Sequence, residues 1–88
     1  MATTFQAVRA EALFASMLQE SQRPAPDEIR NAITDTLSRR GIRGCAGAVA
    51  EEYGAHPDVA IRRMGWALRM VDTVYAVVPR RGAHVAAA

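Results

Sequence analysis

The stretch PDVAIRRMGWALRMVDTVYAVV, residues 57–78, decides the fold class. It shows no strand-like alternation, and its apolar residues recur at helical intervals. Pro57 suits the first position of a helix, where its missing N–H costs nothing, and Pro79 stops the pattern. An unbroken helix over 57–78 would be about 33 Å long at 1.5 Å per residue. Ile61, Met64, Leu68, Val71, Tyr75 and Val78 form a heptad seam, widened on one side by Ala60, Ala67 and Val74. Val59, Trp66, Met70 and Val77 form a second stripe, more than about 100° round the helix from the first. The polar strip left over is narrow: Asp58, Arg62, Gly65, Arg69 and Asp72.

A helix apolar on nearly every side is normally buried. Two arrangements satisfy this one. Three shorter helices wrap it completely, or one stripe faces the core while the other faces a partner. The second is the expectation here, because so long a helix is hard to enclose in a chain this short. The seam from Ile61 to Val78 is assigned to the core. Val59, Trp66, Met70 and Val77 are assigned to a two-fold contact between copies of the chain.

The rest of the chain is also helical. A first helix is expected over about 4–20, with Ala10, Leu13, Phe14, Met17 and Leu18 on one face. Pro24 and Pro26 end it. Pro26 opens a second helix, with Asp27 and Glu28 against its N-terminal dipole and Arg39 and Arg40 at its close. Ile29, Ala32, Ile33, Thr36 and Leu37 form its apolar face. Gly41 is expected to terminate it in a left-handed conformation, with Ile42 folding back onto Leu37. A short third helix from Gly44 or Cys45 to Tyr53 would then precede Gly54 and the helix opened by Pro57. The expected fold is therefore all-α: one domain of four helices over residues 1–79, with the long C-terminal helix as its spine. Residues 80–88 have no periodicity and read as a disordered tail.

Composition agrees. Of 88 residues half are hydrophobic, yet 18 are alanine and one is cysteine, which leaves 25 large apolar side chains for one small core. That excludes a second domain or a cofactor-sized α/β sheet. No run approaches the roughly 18 apolar residues of a membrane span, and there is no signal-peptide pattern, so a cytoplasmic protein is expected. All 11 basic residues are arginine and the net charge is only +2. Charge alternates in blocks: −2 over 1–29, +3 over 30–45, −3 over 46–60 and +4 over 61–88.

Little in the sequence suggests chemistry. Cys45 is the single cysteine and can form no internal disulfide. His56 and His84 have no ligand at metal-binding spacing, and no glycine-rich phosphate loop follows a strand. No catalytic residue, cofactor, metal or small-molecule substrate is expected, nor a membrane helix, which would need a broad basic face.

Residues 49–64, VAEEYGAHPDVAIRRM, resemble a helix-turn-helix in Ala50, in Gly54 four residues later and in the second helix opened by Pro57. The resemblance implies a recognition helix in the DNA major groove. His56, Asp58, Arg62 and Arg63 would then lie near DNA, with Arg69 as a further contact. The pattern departs from that family at Arg63, where a branched apolar residue is usual, and Glu51, Glu52 and Asp58 place negative charge beside the phosphates. Residues 12–75 also look like a group of short, uncharacterised actinobacterial proteins. The likeness is carried by LFASMLQES (13–21), GCA (44–46), EYGAHP (52–57) and RMGW (63–66), and it implies a source and a size rather than a mechanism.

The sequence thus points to a small non-enzymatic regulatory or adaptor protein, working through helix–helix contacts with itself as a homodimer and with another protein. A DNA-binding transcriptional regulator is the alternative.

Overall fold

The computed structural model describes residues 4–76 and is all-α. It contains three helices rather than four: α1 over Thr4–Ala15, α2 over Pro26–Ala55 and α3 over Pro57–Val74, with a 3-10 turn at Glu20–Gln22. The expected disordered tail, together with Val77, Val78 and Pro79, lies outside the described residues.

Helix α1 is shorter than its apolar periodicity suggests. The Ser16 hydroxyl donates to the Leu13 carbonyl at 2.6 Å and accepts the Leu18 N–H at 3.2 Å, turning the chain out of the helix. A serine offers the backbone this alternative to helical bonding. Met17, expected in the core, is exposed as a result. The chain then winds through the 3-10 turn, and Arg23 takes a left-handed conformation (φ 49°) before α2 begins. Pro26 opens α2 as expected, and the Glu28 carboxylate accepts the Ala25 N–H at 2.7 Å.

The second and third expected helices run together as α2, two helical segments meeting at a kink with no loop between them. Gly41 sits at φ 73°, ψ 171°. Its φ is positive, as anticipated, but its ψ is extended rather than left-handed helical. The chain therefore makes a single non-helical step and re-enters the helix instead of closing it. Ile42 points outward and is 59% exposed, so the anticipated fold-back onto Leu37 does not form. This backbone region is essentially restricted to glycine. Nothing lies within 4 Å of where a Cβ would be, so the penalty for a side chain is purely conformational. Gly41→Ala should lower stability by about 1–3 kcal/mol. An unchanged or raised denaturation midpoint would contradict that assignment.

The long C-terminal spine is also corrected. Helix α3 has 18 residues against 30 in α2, and ends at Val74 with the Tyr75 N–H bonded to the Val71 carbonyl. The core gathers Ala10, Ala12, Leu13 and Phe14 from α1, Ile29, Ile33, Thr36 and Cys45 from α2, and Ala60, Trp66, Ala67 and Val71 from α3. Tyr53 meets Phe14 edge-to-face, with ring centroids 6.2 Å apart. Alanines at four of these positions let the helix backbones approach closely, which is how a chain short of large apolar residues fills its interior.

Candidate functional site

Arg63 holds the centre of the molecule together. Its Nε donates to the Phe14 carbonyl at 2.9 Å. Its Nη2 donates to the carbonyls of Ser16 at 3.0 Å and Leu18 at 2.8 Å, with a longer contact to Leu13 at 3.3 Å. These carbonyls lie at and beyond the end of α1, where helical partners run out. The guanidinium also rests over the Trp66 and Phe14 rings, at 5.2 and 5.7 Å from their centroids. Burial pushes its pKa below the usual arginine value, while Glu52 nearby pulls the other way.

That anchor rotates α3 relative to the expected orientation. Trp66 is only 3% exposed and belongs to the intramolecular core, and Met70 is half-buried against it. Val59 is exposed, and Val77 lies outside the described residues. Of the stripe assigned to a partner, Trp66 is thus taken up inside one chain and Met70 partly so, while Val59 stays outside. In exchange, two members of the seam assigned to the core face outward: Ile61 is 63% exposed and Leu68 42%. Gly65 lies between them on the same face, with half-buried Met64 and Tyr75 beside it. The physical reason is the arginine. Drawing Arg63 inward to the α1 carbonyls brings the Trp66–Met70 side of α3 with it and turns Ile61 and Leu68 out.

The residues proposed to approach DNA are dispersed in their roles. Arg63 is committed to α1. Arg69 Nη2 lies 3.6 Å from the Glu20 carboxylate, and His56 Nδ1 lies 3.5 Å from that of Glu52. Arg62 is exposed and has no ion pair among the described residues; with Trp66 and Glu20 it lines a shallow cleft of about 140 Å³. The α2–α3 junction is one residue long, His56, where a helix-turn-helix needs a turn of about three to four residues. The carboxylates beside these cations compete directly with phosphate.

Cys45 is buried, and desolvation raises its thiol pKa from 9.0, with the Glu11 carboxylate adding to the effect and Arg40 opposing it. A raised pKa means the folded state favours the neutral thiol. The stability this contributes is present in full below pH 9.0 and is lost as pH rises through the raised value. The expected outcome is a fall in stability above pH 9 that Cys45→Ala diminishes, together with slow labelling by thiol reagents at neutral pH. Rapid stoichiometric labelling of the folded protein would contradict the burial.

Among the described residues no group of three or more His, Cys, Asp or Glu side chains could hold a metal ion, and no helix is long and apolar enough to cross a membrane. The site that remains is a surface: the outer face of α3 around Ile61, Gly65 and Leu68. A closer reading of the sequence could have found it, because Ile61 and Leu68 adjoin the polar strip of Arg62, Gly65, Arg69 and Asp72, whereas Ala60 and Ala67 do not. Compared with family models, curated proteins and solved structures, the chain matches none of them.

Proposed function

We propose that this is a small non-enzymatic regulatory or adaptor protein that acts through helix–helix contacts and pairs with itself as a homodimer. The observation supporting this reading is the exposure of Ile61 and Leu68 seven residues apart on one helical face, with Gly65 between them. The two aliphatic side chains supply the contact, with the Arg69 guanidinium lying over Gly65 beside them. Burying each would be worth about 1.5–3 kcal/mol. The test is sedimentation of the wild type, Ile61→Asp and Leu68→Asp across a concentration series. Concentration-dependent dimerisation of the wild type is expected. Both variants should sediment as monomers, with thermal midpoints equal to that of the wild type at dilutions where it too is monomeric, since neither side chain belongs to the core. A wild type that stays monomeric at high micromolar concentration would overturn self-pairing.

A further inference from the structure

A groove lies at the bend at Gly41, and neither Ile61 nor Leu68 lines it. Its volume is about 570 Å³, within the roughly 300–1,000 Å³ typical of binding pockets. Phe5 and Val8 of α1, Ile33, Leu37 and Ile42 of α2, and Tyr75 after α3 line it. Phe5 is 73% exposed, and Ile42 is turned outward by the bend. Two large apolar side chains, one from each of two helices, thus stand in water beside an apolar cleft.

The one charged residue lining this groove is basic. Arg9 lines it, with its guanidinium 4.0 Å from the Tyr75 ring centroid and 5.7 Å from that of Phe5. Among the described residues no carboxylate pairs with it, and none lines the groove. Arg40 and Arg43 flank Gly41 and Ile42 in the chain and also have no ion pair there, whereas Arg30 and Arg39 are matched to Asp27 and Asp35 within α2. An apolar floor with unmatched arginines selects its occupant by charge. A second copy docked here about a two-fold axis would bring the same lining to both sides of the contact, with no carboxylate to meet Arg9.

We infer that this groove is the docking site for an acidic amphipathic helix of a partner protein. Apolar side chains at i, i+3 or i+4 and i+7 of that helix fill the cleft. Glu or Asp residues beside them meet Arg9, Arg40 and Arg43. The inference deepens the adaptor reading and rests on it, but it uses a different surface from the proposed self-contact.

The test is a selection from displayed helical peptides carrying a fixed apolar face, with the flanking positions randomised among Glu, Gln and Lys, against the full-length protein. Enrichment of Glu is expected. A synthetic copy of the selected peptide should bind in a fluorescence-anisotropy titration, and added salt should weaken it. Ile42→Glu and Arg9→Gln should each weaken binding at least tenfold, while Ile61→Asp leaves it unchanged. Circular dichroism of each variant checks that it is folded. Enrichment of Gln or Lys, or no enrichment, overturns the inference. So does competition of the peptide by anionic phospholipid vesicles with no effect of Ile42→Glu, which would indicate a membrane surface. Peptides that bind but ignore both groove substitutions overturn the groove while leaving the adaptor reading standing. Self-association abolished by Ile42→Glu rather than Ile61→Asp would assign the groove to a second copy and overturn it as well.

Discussion

Arg63→Ala is expected to cost about 2–4 kcal/mol of folding stability, a large share of what a domain of this size possesses. The estimate rests on the bonds lost. Three good hydrogen bonds to a charged donor disappear, each worth roughly 1.5–3 kcal/mol where water is excluded. The figure is set below their sum because the side chain is half-exposed, so water can reach part of the vacated site. Arg63→Lys should recover little of the loss. A guanidinium spreads its N–H groups across the Phe14, Ser16 and Leu18 carbonyls, whereas an ammonium is a single point of charge on a flexible stem. The measurement is urea denaturation, with the midpoint falling and the slope unchanged. A loss under about 1 kcal/mol, or full rescue by lysine, would show that the carbonyls are satisfied some other way.

Trp66→Ala is expected to cost more, about 3–5 kcal/mol, because it empties a large cavity in a core with few large side chains to relax into it. The diagnostic feature is the pairing of readouts. Trp66→Ala should lower stability and leave the sedimentation of the folded fraction unchanged. Ile61→Asp should do the reverse. If Trp66→Ala instead abolished self-association in a protein of undiminished stability, the indole would lie in the contact between copies, and the placement in the core would be wrong.

What the sequence made legible follows the physical signals available to it. Prolines mark the starts of α2 and α3 because a ring without an N–H fits those positions on local grounds alone. The all-helical class followed from apolar periodicity. The bend at Gly41 was half visible. A glycine after two arginines indicates a positive φ, but ψ decides whether a helix stops or resumes, and ψ leaves no mark on composition. The outward face of α3 was misread for a related reason. The heptad spacing drew the seam through Ile61 and Leu68, with Ala60 and Ala67 only at its edge, whereas the observed buried face includes Ala60, Ala67 and Val71, where small side chains allow close packing. Arg63 was the largest omission. Its role depends on carbonyls 45 to 50 positions away, and no local pattern announces such a bond. The groove at the bend arises from three segments far apart in the chain and was equally out of reach.

The separation between Arg63 and its acceptors has a consequence for the order of events during synthesis. Leu13 to Leu18 leave the ribosome some 45 residues before the arginine that completes them. At about 5–20 residues per second, that is a delay of roughly 2–9 s. Through that interval α1 has 12 residues and no tertiary partner for its last carbonyls, and a helix of that length is marginal alone. Helix α1 can pack against α2 as that helix is made, but the carbonyls at its end are bonded only once α3 emerges. Completion of this domain therefore waits for α3, whose Arg63 closes the end of the first helix.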